Sequence, residues 1–279
     1  MTQESVHSLD PEALELFAKK GTQGGPGVPQ AGLANGVKVR RIMQITRDFA
    51  QRPFSGLRIL DLGCGEGVYA IEAGLRGADV LALDARTERM EAGAACAARH
   101  GLQKVRFRQE DVRRVTLAGL ESFDVVYLLG LLYHLDAPDV FAVLDNVHDL
   151  CGGMVVIDTL ISLTSETQVE WRGRKYQGRR CREHEEDDTD AVRRSRVLKS
   201  IDNTHSFRFT KESLLRAVRD AGFTSVCECH IPAEPGKAED RITLVAHKGT
   251  PVLLSTYPWV NDKSEMEIER TLRSAASPT

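Results

Sequence analysis

The chain has 279 residues, 42% of them hydrophobic and 28% charged, with a formal net charge of −3. That composition supports a core of ordinary size, and the charge gives no overall footprint for nucleic acid or a membrane surface, so either partner would need a local patch. The first 30 residues hold no apolar signal-like run beyond Leu14, Leu16 and Phe17, and no stretch nears the ~18 apolar residues of a membrane span. Six scattered cysteines fit a reduced, cytoplasmic protein better than a disulfide framework.

In chain order, residues 10–20 predict a short helix with Asp10 as N-cap and Pro11 at its first position. A Gly/Pro-rich loop follows over 21–32. The spacing of Val39, Ile42, Ile45 and Phe49 predicts a helix over 36–51. From Leu57 strands alternate with helices: strands at 57–62, 79–84, 104–109, 123–129 and 154–159, helices at 67–75, 87–99 and 138–149. Such alternation with short connections implies a parallel sheet covered on both faces. A helix over 210–221, capped by Thr210 and stopped by Gly222, precedes strands at 224–230 and 241–247, the last able to pair antiparallel.

One connection breaks the rhythm. About fifty residues separate Thr159 from Thr210, far more than a βα loop needs, and they contain "WRGRKYQGRRCREHEEDD" (171–188). Loops of that length carry function or are disordered. The expected organisation is an N-terminal helical lid (1–52), a main α/β domain (53–250) whose insertion at about 160–209 covers a substrate, and a polar tail (251–279).

The sequence "ILDLGCGEGVYA" (59–70) ends the first strand on three closely spaced glycines. Glycines at a strand-to-helix turn permit positive φ and let a ligand approach the backbone. The order Gly63-Cys64-Gly65-Glu66-Gly67 departs from a dinucleotide fingerprint, and no Walker lysine follows. Asp61 and Glu66 would repel a pyrophosphate and suit a ligand bearing an ammonium group. Asp84, ending the second strand, is placed to accept from ribose hydroxyls, and Asp111, after the third, to meet an adenine amino group.

These residues resemble the class I S-adenosylmethionine-dependent methyltransferases over about Leu57–Thr159. The resemblance implies a Rossmann-like seven-stranded sheet, mostly parallel with an antiparallel last strand, and S-adenosylmethionine as cofactor with S-adenosylhomocysteine as product. It implies cofactor contacts from Asp61, Gly63, Cys64, Gly65, Gly67, Asp84, Ala85, Asp111, Val112, Leu129 and Gly130. "LLGLLYHLDAP" (128–138) and "FRFTKESLLRAVRDAGF" (207–223) are similar to the branch of the tRNA wobble-uridine carboxymethyltransferase, where a tyrosine at the position of Tyr133 helps hold a carboxylated cofactor. The N-terminal 50 residues hold no tryptophan and "SIDNTH" (200–205) no arginine, so ordinary S-adenosylmethionine is expected.

His134 is the candidate general base because it follows the fourth strand, and Tyr133 is a candidate pocket wall or catalytic partner. Trp171, Tyr176 and His184, in the insertion, are candidates for stacking on a planar acceptor. Cys181, His184, Cys227, Cys229 and His230 match no closed zinc motif, so no metal is expected. The arginines of 172–182 and 193–199 flank six acids that could neutralise them internally, so nucleic acid is not the expected partner. The expected activity is methyl transfer to oxygen or nitrogen of a small molecule. A tRNA-modifying enzyme and a non-catalytic cofactor-binding subunit are the alternatives.

Overall fold

The sheet is built from strands whose two faces are both apolar. Alternate residues of one strand point to opposite faces: Leu60 of β1 (Arg58–Leu62) joins one core cluster and Ile59 the other. This computed structural model describes residues 9–12 and 31–251 apart from 119 and 235, and for 31–35 the backbone alone. Helices α1 (Ala31–Ala50), α2 (Val68–Leu75) and α3 (Thr87–Arg99) follow one another with β1 and β2 (Asp79–Asp84) between them. Next come β3 (Val105–Gln109), β4 (Phe123–Leu129), α4 (Asp139–Leu150) and β5 (Cys151–Leu160).

After β5 the chain forms β6 (Thr167–Trp171), β7 (Arg174–Arg182), a short α5 (Asp190–Ser195) and β8 (His205–Phe209). It ends the described region with α6 (Lys211–Asp220), β9 (Ser225–Glu228) and β10 (Arg241–His247). The main sheet runs β3-β2-β1-β4-β5-β10-β9, with β10 antiparallel to both neighbours, as expected. Met43 of α1 and Ile71 of α2 pack in one cluster; Val140 and Leu144 of α4 and Leu214 of α6 pack in the other.

Most expected elements lie within a few residues of their expected bounds. Thr210 caps α6 by accepting from the Ser213 N–H, and Gly222 follows with φ +117°. Of the helix expected over 10–20 only residues 11 and 12 are described, and the tail expectation for 252–279 lies outside the described residues. The insertion is the main correction. It is neither loop nor disorder: β6, β7 and β8 form a three-stranded antiparallel sheet. Its polar sequence hides the period-2 pattern, because in β7 only Tyr176 and Gly178 are buried while the flanking arginines and lysine face outward. The Phe207 N–H donates to the Leu135 carbonyl (2.8 Å), docking this sheet beside the end of β4.

Candidate functional site

The turn after β1 shows how the glycines act. Gly63, Gly65 and Gly67 all have positive φ (+71°, +57°, +74°), a region that side-chain-bearing residues seldom enter. The Gly63 and Cys64 N–H groups donate to the Leu83 carbonyl (2.8 and 3.0 Å). The Gly65 N–H donates to Asp84 Oδ2 (2.8 Å), and the Arg86 N–H to Asp84 Oδ1 (2.9 Å). Asp84 therefore ties the turn after β1 to the end of β2. A Cβ on Gly67 would lie 2.3 Å from the Phe107 ring. Gly67 is needed for packing on β3.

Beyond the carboxyl ends of β1, β2 and β4 opens a cavity of about 410 Å³. Asp61, Gly63, Cys64, Asp84, Ala85, Asp111, Val112, Leu129, Gly130, Tyr133 and His134 all line it. Gly65 and Gly67 shape the turn behind them. Burial, with Asp61 and Asp84 nearby, pushes the Cys64 thiol far above its usual range, so it is a neutral wall. Glu66 also lines the cavity, but Arg89 grips its carboxylate at two points (3.0 and 2.9 Å). Asp111 accepts from the Arg113 N–H (3.0 Å) and guanidinium (2.6 Å). Burial alone would raise its carboxyl, but these bonds hold it below the usual range. Arg113 continues to Asp202 of the insertion (2.7 Å).

Tyr133 and His134 sit in a 3₁₀ turn (Leu132–His134) with ring centroids 4.3 Å apart. His134 Nδ1 lies 3.2 Å from Glu183 Oε2. Glu183 is 4% exposed, and it also accepts from Ser206 Oγ (2.9 Å) and the Ser200 N–H (2.9 Å). Burial would raise its carboxyl; the bonds from His134, Ser200 and Ser206 hold it below the usual glutamate range. Sequence reasoning missed Glu183, because it opens an acidic run that resembles a solvated face.

The insertion reaches the cavity through residues 197–201 and Asn203. Arg86, just past β2, fastens this strap by donating to the carbonyls of Lys199 (3.0 Å) and Ser200 (3.0 Å). The aromatic candidates lie elsewhere. Trp171 stacks on Phe141 of α4 (5.5 Å, 9°), and Tyr176, 1% exposed, packs on the same ring and donates to Asp220 (2.7 Å). Both border a separate cleft of about 200 Å³; their apolar area is consumed by the core. His184 is also absent from the cavity wall: it is buried, with Nε2 2.9 Å from the Ser200 carbonyl, behind the strap. Cys181 and Cys227 stand on strands of different sheets.

Comparison with known proteins gives the same outline. The chain is 34% identical over 111 residues to the ubiquinone biosynthesis O-methyltransferase of Brucella anthropi, covering 40% of this chain and 44% of that protein. It is 32% identical over 131 residues to that of Ruegeria pomeroyi, covering 43% and 51%. The chain thus spans about half the length of these curated relatives, and neither belongs to the tRNA wobble-uridine branch. Its fold is shared with the N-terminal domain of EvdMO1 crystallised with SAH bound (TM-score 0.61, 21% identity, 87% of this chain and 99% of that chain). It is shared too with magnesium protoporphyrin IX methyltransferase from Synechocystis PCC 6803 with bound SAH (0.53, 14%, 84% and 97%). The expected fold and enzyme class are borne out: a family model described as a methyltransferase domain matches residues 36–228, and the chain belongs to that family.

Proposed function

We propose that the protein transfers a methyl group from S-adenosylmethionine to an oxygen or nitrogen of a small-molecule acceptor in the cavity above β1, β2 and β4. The residues present fit that cofactor. Asp61, 1% exposed, offers a carboxylate for its ammonium group. Asp84, already accepting two N–H bonds, retains lone pairs for ribose hydroxyls, and Ala85 and Val112 flank the adenine side. When bound, the cofactor supplies an electrophilic methyl group on a sulfonium.

The chain's own residues do the rest. Glu183, clamped by Ser200 and Ser206, holds the His134 ring through Nδ1 and leaves Nε2 to take the acceptor proton. The strap and the 3₁₀ turn narrow the cavity, so that the acceptor is oriented and water limited. The contact of His134, on the cavity wall, with the buried Glu183 behind it carries this reading. A small acceptor is favoured over tRNA because several of the insertion's arginines are paired with acids of the fold: Arg180 with Asp136 (2.6 Å), Arg182 with Glu185 (2.7 Å), Arg174 with Asp220 and Arg196 with Asp188.

Calorimetry with S-adenosylhomocysteine, followed by methyl transfer from labelled S-adenosylmethionine into a panel of phenols, amines and bulk tRNA, tests this. Binding together with label in a small molecule, lost in His134→Ala, is expected. Label entering tRNA alone favours the wobble-uridine resemblance, and binding without any transfer favours the non-catalytic subunit.

A further inference from the structure

Away from the cavity, a short N-terminal segment lies against the end of α3. Cys96 and His100 stand one helical turn apart there. The His100 main-chain N–H still donates to the Cys96 carbonyl (3.1 Å), so the turn continues and both side chains share a face. Asp10 and Glu12 approach that face from the N-terminal segment. His100 Nε2 lies 3.4 Å from Asp10 Oδ1 and 3.3 Å from Glu12 Oε2. One ligand atom each from Asp10, Cys96 and His100 fall within 4.8 Å of one another.

Neighbouring groups hold these side chains in place. The Asp10 N–H donates to Glu72 Oε1 (2.8 Å), and Glu72 is buried in α2, where Arg76 pairs with its other oxygen. Arg99 takes Glu12 Oε1 and leaves Oε2 toward His100. Three carboxylates, those of Asp10, Glu12 and Glu72, thus face the guanidiniums of Arg76 and Arg99. That balance attracts a dication.

His100 Nε2 is the anomaly. It is buried, and among the described residues none makes a hydrogen bond to it. The two carboxylates stand close without the alignment a hydrogen bond needs. Their spacing fits another geometry: two ligand atoms ~2.0–2.1 Å from a tetrahedral ion lie about 3.3–3.4 Å apart. Nε2 is separated by that distance from both oxygens. A thiol, an imidazole and carboxylates around one point are a zinc donor set, whereas calcium and magnesium take oxygen ligands.

We propose that Asp10, Glu12, Cys96 and His100 bind a zinc ion that pins the N-terminal segment to α2 and α3. None of the four lines the cavity, and four protein ligands leave no open position, so the ion is structural. On binding, the Cys96 thiol gives its proton to solvent and ligates as the thiolate. The His100 side chain is 26% exposed, which gives the ion a way in. This inference stands independently of the methyl-transfer reading.

The test titrates the chelator-treated protein with zinc and with cobalt(II), reading stoichiometry by calorimetry and the cobalt complex by absorption. One equivalent of either metal is expected. The cobalt complex should show a near-ultraviolet thiolate band and the intense visible bands of a tetrahedral site, and excess magnesium should not displace it. Zinc should also raise the melting temperature, since it binds only the folded chain. His100→Gln and Cys96→Ala should each weaken zinc by at least about tenfold while thermal unfolding stays cooperative. Cys96 lies in the core, so His100→Gln, at a partly exposed side chain, decides if the cysteine variant does not fold. The proposal is overturned if the unmodified protein takes up no zinc, or if its cobalt complex lacks the thiolate band. Unchanged zinc affinity in a folded His100→Gln protein equally overturns it, because the ion would then sit on other residues.

Discussion

The aromatic half of the insertion, β6 and β7, and its polar half, residues 183–203, serve different parts of the molecule. Trp171 and Tyr176 turn toward Phe141 and Asp220 and anchor the small sheet to α4 and α6. Glu183, Ser200 and the strap turn toward His134 and the cavity. Large rings find their lowest free energy in a core, where ~150–250 Å² each can be buried. A carboxylate leaves water only where several donors await it, and Glu183 has three. Within this insertion, the more informative feature for function is the buried acid, not the aromatic residues.

A substitution in the glycine turn should have the largest effect, and it lies outside the insertion altogether. Gly65 has φ +57° and bonds Asp84, so a β-branched residue there would distort the turn. Gly65→Val should abolish measurable S-adenosylhomocysteine binding while thermal unfolding remains cooperative. Normal affinity in that variant would mean that the turn does not shape the site.

Next in size is the aromatic anchor. Tyr176→Ala should destabilise the protein by about 3–5 kcal/mol, as for other large buried rings, and leave S-adenosylhomocysteine affinity within about twofold. Loss of affinity at unchanged melting temperature would return Tyr176 to the binding site and break the contrast between the two halves.

The main sheet was legible in the sequence because each strand is an apolar run that ends at a turn signal, and the helices between them carry clear stripes. Asp84 and Asp111 could be marked because their positions at strand ends follow from the topology. Their local partners could not. Arg113 engages Asp111 and Arg89 engages Glu66, and neither pairing leaves a periodic trace. The small sheet escaped because its strands are rich in arginine, and the pairing of Glu183 with His134 spans forty-nine positions.

The strap gives an intermediate effect. Arg86 reaches carbonyls of Lys199 and Ser200 across more than a hundred positions, so Arg86→Gln should free the strap with little change in the core. Trypsin should then cut at Arg194, Arg196 or Lys199 several-fold faster than in the unmodified protein, because opening the strap becomes easier. The sites of β7 should remain slow in both. Early cleavage within β7 would show that the whole insertion opens together and that its halves are not distinct.

The smallest effect concerns acid. The folded-state pKa of Glu183 lies below its usual value, with burial opposing the shift and the bonds from His134, Ser200 and Ser206 overcoming it. A carboxyl depressed in the folded state contributes stability above the ordinary glutamate range, near ~4.3, and loses it as pH falls through the folded value. At Asp158 burial again opposes the shift, and Arg241 and Thr243 overcome it to depress the carboxyl in the same direction, so the acid sensitivity of the unmodified protein has more than one source. Glu183→Gln isolates one of them, since the amide cannot titrate while Asp158 is unchanged. The melting-temperature difference between the two proteins should be full near neutral pH and shrink as the pH drops into the carboxylate range. A difference that stays constant down to that range would show that the carboxylate charge does not stabilise the polar half, leaving packing and the two serine contacts to position His134.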